Sequence, residues 1–200
     1  MNNLPKIRCP QFKDPWEQRK LKDLTGRTFG GGTPSTGNEE FWNGNLPWIQ
    51  SSNLNENDIW YISAEKYLTA EGLNNSAAKL IPANSIAIVS RVGVGKVSVI
   101  PFEYATSQDF LSLSDLNTDI GFTAYSIQKT ITGEAASQGT SIKGITKDQI
   151  LNMRISCPSI EEQKEIGALL KKVDETVTLH QRFVDEYTEL KKGLLQQMFV

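Results

Sequence analysis

Residues 158–199 read PSIEEQKEIGALLKKVDETVTLHQRFVDEYTELKKGLLQQMF, and no other stretch restricts the fold so strongly. Pro158 stands before the helix and Ser159 can cap it. Glu162, three residues on, completes the pattern of a capping box, in which its side chain reaches back to the Ser159 N–H. No proline follows, and glycine recurs only at Gly167 and Gly193. Ile166, Leu170, Val173, Val177, Val184, Tyr187, Leu194 and Met198 follow in steps of three, four and seven, the seam of a coiled coil. At 1.5 Å per residue, about 40 residues make a rod of roughly 60 Å. A small domain does not need so long a helix, and the sequence offers no second helix of that length. The seam is therefore expected to pair with another chain.

The remaining sequence bounds the class. Two hundred residues suffice for one domain plus this appendage. Net charge is −2, from 21 basic and 23 acidic residues, so any basic patch must be local. Cys9 and Cys157 lie far apart with no metal spacing and are expected to be free thiols. The opening MNNLPKIRCPQF has no apolar run, and Pro82, Asn84, Arg91 and Lys96 break the most apolar window. A soluble cytoplasmic protein with no membrane partner is expected.

The pattern predicts an α+β chain, a mixed α/β globular domain followed by a long C-terminal coiled-coil helix. Residues 1–15, with three prolines, read as an extended arm. Trp16, Leu21 and Leu24 are placed to anchor the arm to a core. Arg19, Lys20, Lys22 and Arg27 form a basic cluster offset by Glu17 and Asp23. Gly30–Gly37 (GGGTPSTG) is a glycine-rich loop with several hydroxyls. It is not a P-loop, because no Gly-Lys-Ser/Thr follows. It is either a plain surface turn or a loop whose backbone N–H groups approach a phosphodiester or base edge.

Phe41, Trp42, Trp48 and Ile49 read as core, with base stacking as the alternative for the two tryptophans. Ile59–Ile62 reads as a short strand and Leu68–Ala78 as a polar loop. Ile86–Ser90 and Val97–Ile100 read as a hairpin or a pair of neighbouring strands. No acid occurs from Gly72 to Phe102, so Lys79, Arg91 and Lys96 are a locally uncompensated positive stretch, either a solvated edge or one that tracks phosphates. Gln108 stands in a polar turn, and Gln can read adenine in a groove. Asp119–Ile131 fits either helix or strand, with helix preferred, and Gly133–Lys147 reads as a small, polar loop. Thr146 with Gln149 can cap a short turn, and Met153, Ile155 and Cys157 alternate as a last strand. His180 falls near the seam. Asp174–Glu175 and Asp185–Glu186 read as solvated rod charges. No nucleophile–base pair, dinucleotide fingerprint or zinc pattern is present in the sequence.

Taken together, these motifs resemble the DNA-specificity (S) subunits of Type I restriction–modification enzymes. FGGGTPSTGNEEFWNGNLPWI is the most specific segment. IRCPQF with WEQRKLKDL, ATSQDF, GTSIKGITKDQILNMRISCPSIEEQKEIGALLKKVD and LKKGLLQQMFV carry the rest. The resemblance implies a target-recognition domain at residues 16–157 and a spacer and dimerisation helix at 158–200. It implies a non-catalytic chain that reads one half of a split site in double-stranded DNA. Its partners would be methyltransferase (M) subunits and, in the full complex, motor-nuclease (R) subunits. S-adenosylmethionine and ATP belong to those partners, so this chain needs no cofactor.

By resemblance and chemistry, Thr33, Ser35, Arg91, Lys96, Gln108, Thr140, Ser141 and Lys143 are the expected DNA-facing residues. A usual family member has two recognition domains and two spacer helices, whereas this sequence has one of each. Two copies pairing head to tail, or pairing with a different half, would restore the usual set. A truncated remnant or recombination cassette, and a ligand-binding domain on a coiled-coil stalk, are the competing readings.

Overall fold

The computed structural model describes residues 5–138 and 144–199. The strands are β1 (Glu17–Lys20), β2 (Thr25–Gly30), β3 (Trp42–Ile49), β4 (Lys66–Leu68), β5 (Ser85–Val89), β6 (Val97–Ile100), β7 (Ala105–Thr106), β8 (Phe110–Leu116) and β9 (Arg154–Cys157). The helices are α1 (Ala70–Asn74), α2 (Ile120–Gln138), α3 (Lys147–Asn152) and α4 (Ile160–Met198).

Strand β5 (SIAIV) is buried along its whole length, and that places it centrally. It lies in an antiparallel sheet of order β2-β8-β5-β6. Side chains alternate across a strand, so its two faces feed two cores. Ile86 and Ile88, with Leu111, Leu113, Val97 and Val99, meet Phe122, Ile127 and Ile131 of α2. Ala87 and Val89, with Phe110 and Ile100, meet Ile49 and Tyr104 on the other side. That side is covered by a second sheet of order β4-β3-β7, in which β3 and β7 run parallel. The layers are therefore helix, sheet, sheet. The small third sheet pairs β1 with β9, Glu17 opposite Cys157 and Lys20 opposite Arg154, and so joins the two ends of the domain.

Several sequence expectations are met. Leu21 and Leu24 are fully buried, and Trp16 packs on the same cluster. β5 and β6 form the expected hairpin. Helix α2 covers the predicted helical stretch, and Thr146 with Gln149 forms a capping box at α3. Cys9 and Cys157 are free.

Others are corrected. Ile59–Ile62 is not a strand; only Ile62 makes a bridge, to Leu54, while the Ile59 carbonyl accepts from Val99 N and Ser98 Oγ. The supposed loop at 68–78 contains α1, capped by Thr69 Oγ1 accepting from Gly72 N. A short sequence of mixed polarity gives no visible period, which is why this turn of helix escapes a pattern search. Helix α2 runs on to Gln138, into the stretch expected to be loop from Gly133.

Helix α4 begins at the predicted cap, with Ser159 Oγ accepting from Glu162 N at 3.3 Å. The other half of the predicted box is absent. The Glu162 carboxylate instead takes Arg8 Nε and Nη2, both at 2.8 Å, and its side chain is only 3% exposed. Residues of the presumed extended arm thus lie against the start of the rod, and Gln11 adds a bond to Glu165. A strong cation outcompetes a lone backbone N–H for a buried carboxylate.

The first half of α4 is docked, in part on α2. Gln163 Oε1 accepts from Asp119 N at 3.0 Å. Gly167 packs so closely that a Cβ there would lie 2.5 Å from Asp119 Oδ1. Asp174, expected as a solvated charge, accepts from Tyr125 Oη, which in turn accepts from Trp60 Nε1. Lys171 Nζ stands 4.4 Å over the Trp60 ring, and Thr178 Oγ1 donates to Asp58. Burial, with the Asp58 charge adding to it, holds the Asp174 carboxyl above the usual range against the Tyr125 hydrogen bond. Ile166 and Leu170 of the seam are half-buried. Val173, Val177, Val184, Tyr187, Leu194 and Met198 are exposed, as is His180. No described helix is long and apolar enough to cross a membrane.

Candidate nucleic-acid interface

The strand register gathers five segments at one end of the sheets. Gly30 pairs with Leu111, Val89 with Phe110, and Ile49 with Thr106. The chain after β2, after β3, between β5 and β6, and between β7 and β8 therefore leaves at the same end. Ile145 N donates to Ser90 O at 2.8 Å, so the chain leading into α3 passes there as well. Thr33, Ser35, Arg91, Lys96 and Gln108 all sit in these segments. Thr140, Ser141 and Lys143 lie outside the described residues.

The glycine-rich loop is not free. Gly32 N donates to Thr106 O at 2.8 Å and Gly32 O accepts from Trp48 Nε1 at 3.0 Å. A Cβ on Gly31 would lie 1.9 Å from Ser107 O, and one on Gly32 would lie 2.3 Å from Ala77 O. These two glycines permit close packing rather than an open cradle. What they leave outward is the exposed hydroxyl pair of Thr33 and Ser35, on either side of buried Pro34. Trp42 Nε1 holds the loop's far side by donating to Ser35 O at 3.0 Å.

Thr33 Oγ1 bonds Gln108 Oε1. The exposed Gln108 amide is thereby oriented with its NH₂ group left to donate outward. Two residues 75 positions apart in sequence thus form one polar unit.

The hairpin tip splits the two predicted cations. Arg91 is exposed, beside a turn in which Gly93 (φ +82°) and Gly95 (φ +110°) adopt the left-handed region. Lys96 turns inward and donates to Ser51 O at 3.2 Å and Leu54 O at 3.1 Å. It ties the tip to the turn after β3. That removes most of its donors from solvent, so the uncompensated positive stretch is less positive outward than its sequence.

One exposed cation escaped the sequence reading. Lys66 of β4 pairs with Trp48 in register, and its Nζ lies 5.9 Å from the Trp42 ring and 5.8 Å from the Trp48 ring. The two indoles meet edge to face, centroids 5.1 Å apart. Trp48 is core, as expected, but it also fixes the glycine loop and flanks a cation. Glu65 beside Lys66 in sequence cancels its charge in any running sum, which hides the signal. Asp109 also lies at this end, so the surface is mixed rather than uniformly basic. Among the described residues no cluster of acids, cysteines or histidine is placed to hold a metal ion.

This fold has counterparts. Residues 13–187 match the family model described as the Type I restriction modification DNA specificity domain. The chain belongs to that family. It is 33% identical over 172 residues to the EcoR124I/EcoR124II specificity subunit of Escherichia coli, a match covering 82% of this chain and 42% of that protein. It is 28% identical over 167 residues to the MjaIX specificity subunit of Methanocaldococcus jannaschii, covering 81% and 38%. The fold resembles the HsdS subunit from Thermoanaerobacter tengcongensis, with a TM-score of 0.62 at 19% identity over 98% of this chain and 47% of that one. It also resembles a chain solved in work on assembly and conformational transition of the type I R-M system, with a TM-score of 0.70 over 96% and 46%. The chain thus spans about two fifths of the length of the curated relatives it matches. Those relatives are named specificity subunits.

Proposed function

We propose that the specificity chain reads one half of a bipartite site in double-stranded DNA with the loop end of its domain. It does so as one of two copies held head to tail through α4. In this reading the arm is residues 1–15, the recognition domain 16–157 and the spacer helix 158–200. The assembled pair carries methyltransferase subunits, and motor-nuclease subunits in the full complex, and acts in the cytoplasm. What carries the reading is the division of the molecule. Exposed hydrogen-bonding and cationic side chains (Thr33, Ser35, Lys66, Arg91, Gln108) gather at the loop end, while α4 exposes an apolar seam from Val173 to Met198.

The roles divide by chemistry. Arg91 and Lys66 contact phosphates, which dominate affinity and make it fall with salt. The Gln108 amide, oriented by Thr33, is suited to a base edge. Lys96 supports the hairpin tip. A rod of 39 residues spans roughly 60 Å, enough to separate half-sites by one to two turns of about 35 Å each. A pair of identical halves is twofold symmetric and reads an inverted repeat.

Methylation sequencing tests this directly. Cells expressing the chain with a Type I methyltransferase subunit should acquire a methylated, split, inverted-repeat motif. Absence of any new motif, with a methyltransferase shown to work beside an intact specificity subunit, would refute the reading. An asymmetric motif would replace self-pairing with pairing to a different half.

A further inference from the structure

Val92, in the tip of the β5–β6 hairpin, is 70% exposed, more than any other large apolar side chain described between residues 16 and 157. It stands between exposed Arg91 and left-handed Gly93. We propose that Val92 packs on the methyl group of a thymine in the major groove and so selects one A·T pair of the half-site. The proposal rests on the DNA reading above and deepens it to a single base.

The tip is exposed but not loose. Val89 N donates to Lys96 O at 3.0 Å and closes the hairpin. On the near side of Val92, Ser90 donates to Asp109 O from its N at 2.7 Å and from its Oγ at 2.8 Å. On the far side, Val94 packs on the core cluster that holds Ile127 and Ile131, and Lys96 Nζ bonds Ser51 O and Leu54 O. Valine, branched at Cβ, adds a stiff χ1. A side chain already ordered gives up little freedom on binding. A lone exposed apolar residue is ordinary on a protein surface. One tied down on both flanks, at an end of the domain otherwise rich in donors and cations, is suited to a partner.

The neighbours decide which partner. Ser90 precedes Arg91 and Asp109 follows Gln108, so the Ser90–Asp109 bonds set the two turns side by side. Val92 thus shares its end of the sheet with a cation and an amide. Duplex DNA offers phosphates to the cation and base edges to the amide. The apolar group that it presents along a base edge is the thymine methyl, in the major groove. That groove, about 12 Å wide, admits a two-stranded ribbon such as β5–β6, whereas the minor groove is only about 6 Å wide. Arg91 then supplies affinity for any sequence, and Val92 supplies a difference between thymine and cytosine.

Removing the methyl from the DNA tests the assignment without altering the protein. The full chain, with its methyltransferase subunit, is titrated onto duplexes carrying the split motif found by methylation sequencing. Each thymine of one half-site is replaced in turn by deoxyuridine, which lacks only the methyl. At one position affinity should fall roughly three- to fivefold, the loss for one buried methyl group. Val92→Ala should bind the thymine and uracil duplexes equally at that position, with an unchanged salt slope. Arg91→Ala should keep the discrimination and lower the salt slope by about one. Indifference to every uracil, or discrimination that survives in Val92→Ala, would overturn the thymine assignment and leave the DNA reading standing. A half-site without an A·T pair would do the same. Val92→Ala that weakens binding to thymine and uracil duplexes alike, with the discrimination intact, would also overturn it. No salt-sensitive binding to any duplex would refute the DNA reading itself, and the thymine contact with it.

Discussion

The two halves of α4 carry the same heptad pattern and end in different places. From Ser159 to Thr178 the helix is held by its own domain; from Leu179 onward it is exposed, with Gly193 alone half-buried. Apolar spacing does not distinguish them. The polar residues beside the seam do. Glu162, Gln163, Asp174 and Thr178 in the first half each find a partner in the domain, at Arg8, Asp119, Tyr125 and Asp58. In the second half the side-chain bonds among the described residues stay within the helix, as those of Gln181 to Asp185 and Lys192 to Glu189 do. Periodicity shows that a helix needs a partner, and the polar flank shows which part has already found one.

Glu162→Ala should break the docked half most severely. It strands Arg8 beside a closed site, and removing one member of a buried pair is among the costliest substitutions. Tm should fall by roughly 5–10 °C in a thermal melt. Val184→Ala in the free half should leave the melt of a dilute, unpaired chain unchanged within about 0.5 kcal/mol. Equal losses from both would erase the contrast.

The two rod glycines sharpen it further. Gly167→Ala drives a Cβ to 2.5 Å from Asp119 Oδ1 and 3.1 Å from Phe122 N. It should cost about 1–3 kcal/mol by overpacking, measured by urea denaturation. Gly193 has nothing within 4 Å of a built Cβ. Gly193→Ala should instead raise helicity by circular dichroism, a gain of up to about 1 kcal/mol.

The smallest effect is acidic. Because the folded state raises the Asp174 pKa, the folded chain binds a proton that the unfolded chain does not. Stability from this group therefore rises as pH falls toward about 4, the ordinary carboxylate value, and is lost as pH rises through the folded pKa. Asp174→Asn keeps an acceptor for Tyr125 and should flatten that acid-side rise in a series of melts from neutral to pH 4.

Much of this was legible from the chain alone. The rod, its Ser159 cap, the β5–β6 hairpin and the alternation of β9 are local patterns, and local patterns carry their own evidence. What stayed hidden depends on partners distant in sequence. Strand β1 reads EQRK, polar on every residue, and becomes a strand only because β9 lies beside it. Glu162 looked like a capping residue because Arg8 lies 154 positions away. The glycines at 31 and 32 read as a surface turn or an open phosphate-facing loop because the carbonyls they touch belong to residues 107 and 77. The loop-end candidates were chosen by chemistry; the Thr33–Gln108 unit and Lys66 required the register of the strands.

The pairing of β1 with β9 has a consequence for how the chain is made. The first strand and Arg8 leave the ribosome early and wait until Cys157 and Glu162 follow. At synthesis rates of about 5–20 residues per second, that interval is on the order of ten seconds. Its polar EQRK sequence is well suited to a segment that must spend that time in water without a neighbour. Closure of the domain is then a late event in synthesis, coupled to the emergence of the first turn of α4.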